Sequence, residues 1–428
     1  MTDQNFNNGL LDFLGRSPTP FHAVEQMAEM LVAADFVRLK EEDAWQLEPR
    51  RGYFVTRNGS SLIALRTGSG SPAEQGLRLI GAHTDSPCLK VKPAPEMIRQ
   101  GCFQLSVEIY GGVLLGPWFD RDLSLAGRVT GRLGDGSIGS QLIDFRRPVA
   151  TVPSLAIHLN RQVHNKRTIN PHEEVVLLLG SGTEGGGDFR KLLLDQLSRE
   201  DSGPRFETIL DYEISCYDFQ SPALVGLDND FIASARLDNL LSCYAGCRSL
   251  TDSTTKRGAV LVCNDHEEVG SLSASGAQGP FLRSVLERLC GTGEAMDRAM
   301  DQSILISADN AHAVHPNYEN KHDPQHRPSL NGGPVIKYNA NQRYATNSRS
   351  AAIFKDLCQQ LNVPVQSIAM RSDMACGSTI GPITSAELGV STVDVGAPQL
   401  AMHSLREITG SKDPGYLYRA LKGFLEQS

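Results

Sequence analysis

The 428-residue chain has no CxxC pair, no cluster of basic residues, and no apolar run approaching the roughly 20 residues that span a bilayer. Each absence removes a class of function. Nine cysteines scattered at irregular spacing, an odd number, argue against a thiolate zinc site and fit free thiols in a reducing compartment better than a disulfide framework. With 41 Lys and Arg against 49 Asp and Glu, the net charge is -8, which leaves no basic surface for nucleic acid. The opening MTDQNFNNGLLDF lacks the basic and apolar blocks of a secretory signal. Together these readings place the protein in the cytoplasm with neither a membrane nor a nucleic-acid partner. Internal repeats and low-complexity tracts are also missing. A 40% hydrophobic content at this length can bury a large core, distributed over two domains.

What is present points to an α/β fold. Thr19 and Pro20 mark the start of a helix over PFHAVEQMAEMLVA, and SLIALRT reads as a strand. GSGSPAEQG reads as a surface loop. Four apolar runs of strand length then end in polar residues: LRLIGAHTD at 77–85, AVLVCNDHEE at 259–268, ILISADNAH at 304–312 and STVDVG at 391–396. In a mostly parallel sheet, ligands bind beyond the carboxyl ends of the strands, so these polar residues can converge. ARLDNLLSCYAGCRSL at 235–250 is helical, with Leu237, Leu240, Leu241 and Tyr244 on one face. The expected architecture is a mostly parallel central sheet flanked by helices, built from 1–92 and 229–428. Between them, 93–228 carries short β-rich runs (FQLSVEIYGGVLL, GRVTGRL, PSLAIHL, EEVVLLLGS) and reads as an inserted β-rich domain, an extension of the main sheet being the alternative.

Candidate chemistry sits at the strand ends. Residues two apart on an extended chain share a side, so His83 can ligate a metal while Asp85 orients its ring; a buried, hydrogen-bonded histidine is the alternative. In Asp265-His266-Glu267-Glu268 one glutamate can bind metal and the other accept a proton, unless this is a solvated strand end. Asp238, at a helix start, can bridge two metals or simply complement the helix dipole. Asp309 follows another strand. His312, His315, His322 and His326 come soon after it, interrupted by Pro316 and Pro324, and are expected to line or support the cleft rather than form a second site. His403 lies beyond the last strand, where a structural role is the alternative. As a set, these His, Asp and Glu side chains suit two zinc ions sharing a carboxylate, with Glu267 spare as base. Cobalt and manganese suit similar sites.

The ordered motifs GAHTDSPCLKVKP, WFDRDLSLAGRV, ARLDNL, NDHEEVGS, SADNAHAVHPNY, GGPVIKYNANQRYAT, CGSTIGPI and AMHSLRE resemble the aspartyl aminopeptidases of the M18 metallopeptidases. The resemblance covers nearly the whole chain. It implies that His83, Asp238 and Asp309 hold one zinc and Asp238, Glu268 and His403 the other. Glu267 matches the general acid/base, and Asp85 matches the aspartate that orients His83. His158 resembles a histidine that reaches the reacting carbonyl from a neighbouring subunit, and Lys337 resembles the base that meets an acidic substrate side chain. The resemblance further implies that 93–228 is a dimerisation domain, that the assembly is a homo-oligomeric dodecamer, and that the partners are peptides with a free N-terminus.

Two rival classes are weighed against this. One is a di-metal enzyme of other specificity, a neutral aminopeptidase or an amide deacylase. The other is a non-catalytic assembly or peptide-binding protein, which would be expected to lack Glu267 or a ligand.

Overall fold

The computed structural model of the chain describes residues 2–164, 166–182, 187–200 and 203–427. Two compact units emerge: Met1–Ser86 with Pro222–Met402 and Glu407–Ser428, and Pro87–Ser221 with His403–Arg406. The second of these stands beside the 93–228 segment expected from composition. Cys88–Arg99 is one continuous strand across residues 92 and 93, a junction that composition does not mark.

The first unit is built on a nine-stranded mixed sheet. Its order is Val37–Arg38, Gly52–Arg57, Ser61–Arg66, Gly258–Asn264, Leu77–His83, Ile304–Ala308, Ser391–Gly396, Val335–Tyr338 and Gln366–Ala369. The four strands Gly258–Asn264, Leu77–His83, Ile304–Ala308 and Ser391–Gly396 run parallel as neighbours. Parallel strands are buried on both faces, which is why their sequences are continuous apolar runs. Along Leu77–His83, Ile80 and Ala82 join the core beneath helices Asp3–Gly15, Pro20–Ala33, Leu237–Asp252 and Asp413–Glu426. Leu77 and Leu79 join the core on the opposite face, with helices Phe281–Cys290 and Glu294–Asp301. The period of two in side-chain direction thus fills both layers from one strand.

Local signals act as the sequence suggests, with two corrections. Pro20 does open its helix, but Thr19 Oγ1 pairs with His22 Nδ1 at 2.8 Å instead of capping a backbone N–H. GSGSPAEQG is not wholly a loop, because Pro72–Gln75 forms one helical turn started by a proline whose fixed φ suits the first turn.

The second unit holds a six-stranded antiparallel sheet: Ile138–Asp144, Leu123–Leu133, Phe206–Asp218, Cys88–Arg99, Cys102–Tyr110 and Val176–Ser181. Helix Phe189–Glu200 packs against it through Phe189, Leu193 and Leu197. PSLAIHL forms no strand. Leu155, Ile157 and Leu159 are 63%, 42% and 74% exposed, so its alternation of apolar residues has no sheet neighbour in this unit to bury against. Among the described residues, no helix is long and apolar enough to cross a membrane.

Candidate metal centre

Three adjacent parallel strands deliver their ends to one edge of the central sheet. His83 is the last residue of its strand and pairs in register with Asn264. The chain beyond Asn264 carries Glu267 and Glu268, and Asp309 directly follows Ile304–Ala308 on the other side. Helix Leu237–Asp252 supplies Asp238, whose backbone (φ -83, ψ 104) departs from helical values, as does that of Asn239. Asp238 is therefore not an ordinary first-turn charge. Its N–H donates to Glu407 Oε2 at 3.0 Å, and its carbonyl accepts from Ser86 Oγ at 2.6 Å. Asn239 Nδ2 donates to the Ala308 carbonyl and Asn310 Nδ2 to that of Leu237, both at 2.8 Å, pinning the segment to the strand end.

Glu267 and Glu268 do not lie on an extended strand, as the sequence suggests. They sit in a single 3₁₀ turn, Glu267–Val269, entered through His266 in the left-handed region (φ 65). Asp85 secures that turn: its Oδ1 accepts from the Glu267 N–H at 3.1 Å and its Oδ2 from that of Glu268 at 3.0 Å. The same residue faces His83 Nδ1, through its carbonyl oxygen at 3.1 Å and its Oδ1 at 3.4 Å.

His83 Nε2 is thereby aimed at carboxylates. It lies 3.4 Å from Asp238 Oδ1, 3.9 Å from Asp309 Oδ2 and 4.0 Å from Glu267 Oε2. Ligand atoms of His83, Asp238 and Glu268 all lie within 4.8 Å of one another, and among the described residues this is the one such cluster. The histidines after Asp309 do not form a second: His326 Nδ1 pairs with Asp323 Oδ1 at 2.8 Å, and the His315 ring packs on Tyr318.

Gathering Asp85, Asp238, Glu267, Glu268 and Asp309 around one imidazole and one ammonium, that of Lys337, leaves an excess of negative charge. Its electrostatic effects follow. Burial pushes Glu267 up to about 8, with Asp309, Asp85 and Asp238 adding to the rise and His83 opposing it. Burial likewise raises Asp309, and Asp238 adds to it, while Lys337 and His83 oppose. Burial would lower His83, but Asp238, Asp85 and Glu267 outweigh it and hold the imidazole well above its usual value. Sites of this kind want a cation, and an imidazole nitrogen with several carboxylate oxygens is a donor set that fits a divalent metal such as zinc. Because His83 and Asp309, both held above their usual values, must lose their protons to take one, metal affinity is expected to rise with pH, with protons released on binding. Calorimetric titration of the metal-free protein in buffers of different ionisation enthalpy checks this. An affinity independent of pH, with no proton release, would contradict it.

Lys337, 3% exposed, donates from Nζ to Asp309 Oδ1 at 3.1 Å. His158 and His403 belong to the second unit. There His158 is exposed, and His403, at φ 69, has Nδ1 3.0 Å from the Gly112 carbonyl oxygen. Ser86, Asn239, Asn310 and Glu407 are not marked as site residues by any sequence pattern. Ser86 and Glu407 lie within quoted motifs, but their tie to Asp238 spans 152 and 169 residues of chain and has no local signature.

The chain matches the family described as Aminopeptidase I zinc metalloprotease (M18) over residues 13–425. It is 57% identical over 423 residues to a probable M18 family aminopeptidase 2 of Pseudomonas fluorescens, covering 98% of each chain. The structure is similar to that of Ape4 in its complex with Nbr1, at TM-score 0.95 and 39% identity, covering 99% of this chain and 86% of that one. It is also similar to the S. cerevisiae mApe1 dodecamer, at TM-score 0.85 and 27% identity over 99% and 95%.

Proposed function

This chain belongs to the aminopeptidase I zinc metalloprotease (M18) family, and from that premise we propose that it is a di-zinc enzyme releasing N-terminal residues, preferably Asp or Glu, from peptides. The observation that carries the reading is His83 Nε2 facing Asp238, Asp309 and Glu267, with Glu268 in the same cluster. In the proposal His83, Asp238 and Asp309 hold one ion. Asp238, Glu268 and His403 hold the other, His403 being included on sequence resemblance. When bound, the ions supply Lewis acidity and a water of lowered pKa.

The protein's own residues do the rest. Glu267, fixed through its N–H by Asp85, takes the proton of the attacking water and returns it to the leaving amine. Its 3₁₀ turn holds the carboxylate of the base and that of the ligand Glu268 on one rigid segment. Asp85 fixes the His83 ring so that Nε2 keeps its lone pair outward. Lys337 meets the acidic substrate side chain.

The dodecamer of S. cerevisiae mApe1 supports a homo-oligomer here. In this reading, on sequence resemblance alone, 93–228 is the dimerisation domain and His158 reaches a neighbouring subunit's reacting carbonyl. The exposed Leu155, Ile157 and Leu159 around His158 give such a contact apolar surface. All nine cysteines are free thiols, in keeping with a reducing, cytoplasmic setting.

One observation favours neutral specificity as a second reading: the Lys337 charge already pairs with Asp309. Hydrolysis of Asp-, Glu-, Leu-, Ala- and Lys-aminoacyl substrates, before and after chelation and with zinc or cobalt restored, separates the two. Chelator-sensitive cleavage favouring Asp and Glu is expected. Preference for Leu or Ala would sink the acidic pocket, and inactivity under every metal would sink the enzyme reading.

A further inference from the structure

Lys337 stands on the strand Val335–Tyr338 with its side chain 4% exposed, and its ammonium lies 5.4 Å from the Tyr344 ring centroid. Its ion pair is with Asp309, at 3.1 Å to Oδ1, while the other oxygen of the same carboxylate lies 3.9 Å from His83 Nε2. One buried carboxylate thus has one oxygen on the residue assigned to substrate recognition and the other toward the metal-facing imidazole. An ammonium in so dry a setting interacts strongly with its partner, and a second carboxylate must compete for it.

We infer that Asp309 couples metal loading to recognition of an acidic side chain, with Lys337 as the shared counter-ion. A cation drawn to Asp309 weakens that carboxylate's hold on Lys337 and leaves the ammonium available to a ligand carboxylate. Coupling of this kind is reciprocal, so a ligand carboxylate that engages Lys337 leaves Asp309 to the metal and strengthens its retention. The inference rests on the aminopeptidase reading, with Lys337 at the acid-recognising position.

The test uses the zinc-loaded full chain and follows transfer of zinc to excess chelator with saturating L-aspartate or with L-asparagine, its neutral isostere. Excess chelator makes the amino acids' own affinity for zinc immaterial. Zinc loss is expected to be on the order of tenfold slower with aspartate, and the difference is expected to vanish in K337M and K337Q. Equal rates in the wild type would overturn the coupling, and so would a difference that survives in both variants. The wild-type comparison stands even if a variant folds poorly. A wild type that cleaves Asp substrates well over Asn ones, yet loses zinc equally with both ligands, would overturn the coupling and leave the acidic specificity intact. Cleaving both substrates alike would overturn the two together.

Discussion

Replacing Glu267 with glutamine is expected to leave a protein that folds and binds zinc like the wild type but hydrolyses peptides roughly 10²–10⁴-fold more slowly. The substitution preserves volume and the backbone N–H that Asp85 accepts, so the 3₁₀ turn and the Glu268 carboxylate stay where they are. Only the ability to take and return a proton is removed. Burial and the surrounding carboxylates push Glu267 up to about 8 in the metal-free site, and a bound cation, by offsetting their charge, would bring it down so that it stands ionised and ready to accept a proton. The measurement is kcat on the preferred substrate alongside zinc content per subunit. Wild-type turnover would remove Glu267 from its role. Lost turnover accompanied by lost zinc would instead make it a ligand, an outcome that its distance of 4.0 Å from His83 Nε2 keeps worth testing.

The second large effect is expected at Asp238. Asp238→Asn should weaken zinc binding by about 100-fold or more, beyond the 10–100-fold typical of losing an outer partner, and activity should fall with it. Asp238 is 3% exposed, its main chain is clamped by Glu407 and Ser86, and its Oδ1 faces His83 Nε2 at 3.4 Å. In the metal-free protein its charge is repelled by the neighbouring carboxylates but attracted by the His83 imidazole. The two effects oppose each other, so the metal-free variant should melt close to the metal-free wild type. Zinc affinity by chelator competition and thermal melts without metal report the two halves of this claim. Undiminished zinc affinity would remove Asp238 as the shared ligand, and a collapse of the metal-free melt would show that its role is to hold the fold.

Much of the first unit was legible from sequence. Parallel strands buried on both faces must be continuous apolar runs, and several such runs ending in His, Asp or Glu are a signal that any one of them alone is not. The runs at 77, 259 and 304 became Leu77–His83, Gly258–Asn264 and Ile304–Ala308, and STVDVG became Ser391–Gly396 without change. The helix read over 235–250 became Leu237–Asp252. PSLAIHL misled because alternation signals a strand only if a neighbour supplies hydrogen bonds, and its side chains stand exposed in its own unit.

The chemistry on offer can be read from the amino-acid order alone: which residues are present, that several of them close apolar runs, and, through motif resemblance, the family. Those are local properties, written in apolar runs and their polar stops. How the residues are used depends on the folded arrangement. It put Glu267 and Glu268 on a 3₁₀ turn held by Asp85, 182 and 183 residues away in sequence, and it tied Lys337 to Asp309 across 28. Such pairings arise because strands far apart in the chain become neighbours in the sheet, and because a carboxylate in a dry interior takes whichever donor or cation the packing brings within reach. No local pattern encodes that choice.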